Sequence, residues 1–238
     1  MSNIWAFRKN IDPEDDLNEE EYFLKHLDVW NFIKLEIEKD DSVKKILDVG
    51  CCTGIGYKDL KNYDRLSIAG LDINNKFIEI AKLRGIDGRV CDVSTESFPY
   101  GESVFDIVIL GSLLEHSLNP RHLISESKRV LREGGRLIIS TPNAISLRSR
   151  LDLIRGKNQF SPLIQNLFYR DYLLRCSIFY SKKEIVNILG HDFSTESVTY
   201  INDKKNNIGI VRRIINCLYV IPSLKDVIIV VAKKHIYG

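Results

Sequence analysis

The 238-residue chain balances 34 Lys and Arg against 32 Asp and Glu, and a formal charge of +2 argues against a nucleic-acid-binding domain. Apolar residues at 44% and charged residues at 28% describe a globular protein with a full core, and the length suits one large domain. Five scattered cysteines without a C-x-x-C pair argue against zinc and against a disulfide framework. The amino terminus shows no apolar segment of a signal peptide, and no run is long enough for a membrane span. A cytoplasmic protein is expected.

The charge is unevenly spread. Residues 1–21 hold seven acidic side chains against Arg8 and Lys9, while residues 144–175 hold six basic ones against two Asp. Solvated faces account for both, and so does a basic lid paired with an acidic arm.

In chain order, residues 19–39 place Tyr22, Leu24, Leu27, Trp30, Ile33, Leu35 and Ile37 at three- and four-residue steps, which predicts an amphipathic helix. "KILDV" is a short buried strand, followed by the glycine turn "GCCTGIG" and a helix over residues 55–60. "RLSIAGLD" is a second strand ending at Asp72. A helix capped by Asn74 or Asn75 and closed by Gly85 follows. "DGRVCD" and "VFDIVIL" are the third and fourth strands, and "NPRHLISESKRVLREGG" is a helix stopped by its two glycines. "RLIISTPN" is a fifth strand. Residues 144–180 break the rhythm as a partly helical insertion; a helix capped by Ser181 and the strands "FSTESVTYI" and "KDVIIVVAKK" complete the chain. Uniformly apolar strands alternating with helices predict an α/β fold whose mostly parallel sheet is covered on both faces.

Glycines at Gly50, Gly54 and Gly56 let backbone approach a ligand closely, but the dinucleotide pattern G-x-G-x-x-G is absent. Asp48 projects into the turn, where a carboxylate repels a pyrophosphate and suits an ammonium group.

"LDVGCCTG" resembles the first motif of class I S-adenosylmethionine-dependent methyltransferases, with Asp48, Gly50 and Gly54 matching and Cys52 in place of the middle glycine. The later motifs match in order over residues 44–143. The resemblance implies a Rossmann-like fold with a seven-stranded sheet and a small insertion after the fifth strand. It also implies S-adenosylmethionine as cofactor, held by Asp48, Gly50, Cys51, Cys52, Gly54, Asp72, Ile73, Asp92, Val93 and Gly111. Asp72 takes the ribose hydroxyls in that scheme, Asp92 the adenine amino group, and Val93 the ring. The chain is then one methyltransferase domain: an N-terminal cap (1–40), a cofactor core (44–143), a substrate-side insertion (144–180) and the rest of the sheet (181–238).

Methyl transfer to a hydroxyl benefits from a base, and His116, beside Glu115 just past the fourth strand, is the candidate. The alternative is a structural histidine at a loop–helix junction. The acceptor site is expected from Tyr22, Phe23 and Trp30 and from the insertion, whose Arg148, Arg150, Arg155, Lys157, Arg170 and Arg175 lie among Phe160, Phe168, Tyr169 and Tyr172. Arginines among aromatics suit an anionic acceptor. The branch resembled acts on small molecules, including quinone precursors and glycans, so a small-molecule, saccharide or lipid-linked acceptor is expected. Residues 208–221 form either a membrane-surface helix or a segment packed beside the last strand. Two other functions fit: a non-catalytic S-adenosylmethionine-binding protein, and an NAD-dependent oxidoreductase.

Overall fold

A computed structural model describes residues 23–61, 63–117, 119–156, 178–202 and 221–236. The acidic arm, Tyr22, the aromatic stretch of the insertion with Lys157, Arg170 and Arg175, Cys176, Cys217, and residues 208–220 of the apolar segment lie outside them.

Each short apolar run pairs as a strand because both of its faces find helices. The strands are β1 (Lys45–Val49), β2 (Ser67–Asp72), β3 (Asp87–Val90), β4 (Phe105–Gly111), β5 (Leu131–Pro142), β6 (Phe193–Ile201) and β7 (Val227–Lys234). They form one sheet in the order β3-β2-β1-β4-β5-β7-β6, parallel except for β7, which runs antiparallel to β5 and β6. The order reverses direction between β1 and β4, and open sheets of this kind hold ligands at the carboxyl ends beside such a point. At the opposite end the buried Asp106 accepts the N–H groups of Lys44 (2.6 Å) and Lys45 (2.8 Å) and pairs with Arg132 (2.8 Å). That fixes β1 against β4.

Two apolar clusters, one on each side of the sheet, make the core. One gathers Val29, Ile33 and Ile37 from helix α1 (Leu27–Glu38) and Ala81 from α2 (Asn75–Leu83) over Ile46, Ile107, Ile109 and Ile138. The other gathers Leu123 and Ile124 from α3 (Pro120–Val130) and Ile185 and Leu189 from α5 (Lys182–Leu189) over Leu47, Val108 and Leu137. Between them in sequence lies α4 (Leu147–Ile154). The four-residue spacing of Val29, Ile33 and Ile37 explains why α1 forms, and fully burying each stabilises the fold by about 1.5–3 kcal/mol.

Polar side chains cap the helix starts, those at Asn74 and Ser181 as expected. Asn74 accepts from the N–H groups of Lys76 and Phe77, Asn119 from that of His122, and Ser181 with Glu184 forms a reciprocal capping box.

Two expectations need correction. The helix predicted over residues 55–60 is a single 3-10 turn, Ile55–Tyr57, which ends because Lys58 is extended and Asp59 has a φ of 63°. Leftward backbone at a non-glycine residue is incompatible with continued helix. The helix expected to stop at Gly134 and Gly135 ends instead at Val130, and both glycines lie within β5, where Gly134 takes a φ of 70°.

Gly56 explains how α1 meets this short turn. A Cβ there would overlap the indole ring of Trp30, so α1 sits as close as it does only over a bare backbone. Gly56→Ala is expected to destabilise the protein by about 1–3 kcal/mol through overpacking. Urea unfolding of Gly56→Ala, Trp30→Leu and the double variant checks this, since the smaller side chain should recover most of the loss.

Candidate cofactor site

The glycine turn is folded back onto the end of β2. The N–H groups of Gly50 (2.7 Å) and Cys51 (3.0 Å) both donate to the Leu71 carbonyl, and that of Cys52 donates to Asp72 Oδ2 (3.1 Å). Asp72 Oδ1 accepts from the Asn74 N–H (2.9 Å), one residue before α2 begins. Asp72 is therefore a strap joining the first turn to the second helix. Each carboxylate oxygen can accept twice, the chemistry that a diol requires.

Gly50 and Gly54 have φ of 80° and 74°, and Cys52 has 48°, so the turn needs left-handed backbone three times. A side chain at such a position costs about 1–2 kcal/mol, and Cys52 tolerates it while half-exposed. Cys51 points inward: its sulfur is what a Cβ on Gly70 would strike, and burial, followed by the charges of Asp48 and Asp72, raises its thiol well above the usual range.

Asp48 is the anomaly. Its carboxylate is fully buried at the end of β1, and Oδ2 has no hydrogen-bond partner. The Tyr57 hydroxyl is buried beside it and is likewise without one. Burial pushes the Asp48 carboxyl up to about 7, the phenol of Tyr57 pulls it back down, and the charge of Asp72 adds to the rise. An orphaned carboxylate at a glycine turn fits a cationic group on a ligand.

The other cofactor candidates surround this centre. Ile73 is partly buried against the core cluster, and Val93 is buried within it under the loop after β3. Asp92 closes that loop: its Oδ1 accepts from Ser94 N–H (3.1 Å) and its carbonyl from those of Thr95 and Glu96. Gly111 ends β4, where Ser112 takes a φ of 49° and its N–H donates to the carbonyl and hydroxyl of Ser140. The chain then turns through Leu114–His116, and Leu113 reaches back until a Cβ on Gly50 would lie 3.0 Å from its Cδ1.

The catalytic candidates separate here. His116 is partly exposed on that turn, whereas Glu115 is buried, and its carbonyl accepts from the Ile178 N–H (3.1 Å). Glu115 also acts on Tyr180, whose phenol is raised to about 12 by burial first and by that carboxylate second. Of the aromatic residues assigned to the acceptor, the two described ones pack elsewhere. Trp30 packs edge-on against Tyr57 (5.3 Å between centroids), and Phe23 lies under the ammonium of Lys34. Tyr57 was hidden from the sequence reading because it lay in a segment read as plain helix; an aromatic directly after the last glycine was the available signal.

The buried Asp48 has a consequence for stability. Its folded-state carboxyl stands above its unfolded value, so the contribution is present below about pH 4 and lost as pH rises through 7. Asp48→Asn should therefore stabilise the unliganded protein at pH 8 by about 1–4 kcal/mol, with the difference shrinking toward pH 5. Denaturant titrations of both proteins at the two pH values measure it.

Residues 47–139 match the methyltransferase domain family. An uncharacterised Methanocaldococcus jannaschii protein is 32% identical over 120 residues, which are 50% of this chain and 52% of that protein. The ubiquinone/menaquinone biosynthesis C-methyltransferase UbiE of Desulfotalea psychrophila is 32% identical over 122 residues, 48% of this chain and 49% of its own. The chain thus spans about half the length of the curated relatives it matches. In fold the likeness is wider: an S-adenosylmethionine-dependent methyltransferase structure from Thermotoga maritima aligns with a TM-score of 0.62 and 17% identity over 98% of this chain and 99% of that one. Match, strand order and turn agree: residues 47–139 carry a methyltransferase domain of the S-adenosylmethionine-dependent kind.

Proposed function

We propose that the protein transfers the methyl group of S-adenosylmethionine to a small-molecule acceptor, at a hydroxyl oxygen. The observation that carries the reading is the grouping of Asp48, Asp72 and Asp92 at three neighbouring strand ends around a left-handed turn. When bound, the cofactor supplies an activated methyl on a sulfonium, so the protein's part is placement. Asp48 would hold the ammonium, Asp72 the ribose diol, and Asp92 the adenine amino group. His116, at the mouth of the β4 turn, would accept the acceptor's proton. The exposed Arg148, Arg150 and Arg155 of α4 and its C-cap support an anionic acceptor, saccharide or lipid-linked molecules included.

We take the whole chain as one domain acting in the cytoplasm. Support for that location comes from Cys51, Cys52 and Cys91, none of which is in a disulfide. Among the described residues no helix is long and apolar enough to cross a membrane. A carbon acceptor is the second reading, favoured by the likeness to a quinone C-methyltransferase.

Asp72→Ala should weaken S-adenosylhomocysteine binding by about 10- to 100-fold, because hydrogen bonds to a charged group are worth about 1.5–3 kcal/mol. Calorimetry that finds unchanged affinity, or that finds NADH binding instead, overturns the assignment. A thermal melt of the same variant separates loss of the strap from loss of the ligand contact.

For His116→Ala, turnover on a hydroxyl acceptor should fall by about 10²–10⁴ with cofactor affinity preserved. The wild-type rate should drop as pH falls through the histidine range, because imidazolium cannot take a proton. A pH–rate profile whose acid limb survives in the alanine variant excludes His116 as the base and favours the carbon acceptor.

A further inference from the structure

Helix α1 reaches the cofactor turn by an unbroken line of contacts. Its carboxyl-terminal half is tied to the sheet by Arg136, which donates to the Glu36 carbonyl (3.0 Å) and pairs with the Glu36 carboxylate (3.5 Å). Two residues earlier, Lys34 donates to the carbonyl of Lys58, the residue that ends the 3-10 turn. One turn earlier still, Trp30 lies over the bare backbone of Gly56 and edge-on to the Tyr57 ring. Tyr57 in turn is buried with its hydroxyl beside the Asp48 carboxylate, near enough to act on it as a donor, although Asp48 Oδ2 and the hydroxyl do not meet in an ordinary hydrogen bond. Packing against Trp30 therefore decides where that hydroxyl stands.

We propose that Tyr57 is a positioning residue for the Asp48 carboxylate, and that α1, through Trp30, sets how strongly the protein holds its cofactor. The proposal rests on the reading that Asp48 takes the cofactor's ammonium group. Toward a carboxylate the Tyr57 phenol acts as the donor. Its phenol is raised well above the usual range by burial first and by Asp48 next, so it stays protonated at any working pH. The groups facing the pair are few. Asp72 from the end of β2 disfavours charge on Asp48, Asp48 and Cys51 from the turn disfavour it on Tyr57, Tyr63 adds to the Tyr57 rise, and β4 places Ile109 opposite Asp48 in register. Tyr57 is thus the neighbour that favours the ionised carboxylate, and a cation needs that form.

The sign follows directly. Below about pH 7 Asp48 is neutral, so affinity for a ligand bearing an ammonium should rise with pH and level off above the midpoint. Tyr57→Phe keeps the ring and its packing and removes the donor, which should move the midpoint upward. At pH 7 affinity should fall by about 3- to 10-fold, with the two proteins converging near pH 8.5. Trp30→Phe, which loosens the packing on the Tyr57 ring and keeps its hydroxyl, should shift the midpoint in the same direction by less.

The experiment is calorimetric titration of the full chain with S-adenosylhomocysteine between pH 5.5 and 8.5, for wild type and both variants, with thermal melts in parallel. An upward-shifted midpoint in Tyr57→Phe supports the proposal. A Tyr57→Phe profile that tracks wild type, whatever its melting temperature, overturns it and leaves a packing residue. Wild-type binding with no pH step also overturns it while the cofactor assignment stands. Failure of wild type to bind at any pH removes both.

Discussion

The carboxyl end of β2 is where this fold is held together and where its chemistry is arranged. One carbonyl, that of Leu71, takes two N–H groups of the glycine turn, and one carboxylate, that of Asp72, takes a third together with the N–H that precedes α2. A left-handed turn carries N–H groups that no strand or helix can satisfy, and leaving them unpaired near the core would cost about 1–3 kcal/mol each. The strap supplies the partners. It also explains how a turn with cysteine at a φ of 48° persists: the surrounding bonds over-determine it.

That arrangement places two carboxylates near one another, and they fare differently. Asp72 is satisfied by backbone donors, so its charge is supported. Asp48 is enclosed among Tyr57, Cys51 and the end of β1, and burial disfavours its charge. A protein that only needed to fold would place a neutral side chain there. Sites that bind charge commonly give up stability in this way.

The other side of the cleft is organised by a second kink. Ser112 turns the chain out of β4 and ties it to Ser140 on β5, and the same region is braced where Asn143 pairs with Tyr180. Asn143 anchors this corner further, donating to the carbonyls of Ser223 and Lys225. Glu115 and Tyr180 are buried within it, while His116 keeps access to solvent. The groups at the ends of β1 and β2 and those after β4 thus stand on opposite sides of the point where the strand order reverses.

Most of this framework was legible along the chain. Apolar runs such as "KILDV" and "FDIVIL" bury on both faces whatever their neighbours are. Asn74, Ser181 and the pattern of α1 act over three or four residues, so local sequence determined those strands, caps and helices. The run after Gly54 was misread because its end depends on Asp59 entering left-handed backbone, which composition does not announce. Position 48 was legible as an acid on a turn, but its protonation was not. Burial by side chains from residues 51 and 57, the latter pressed inward by Trp30 from a helix some twenty residues earlier, decides that state. Charge in a protein answers to everything that excludes water around it, and only the tertiary structure brings those groups together.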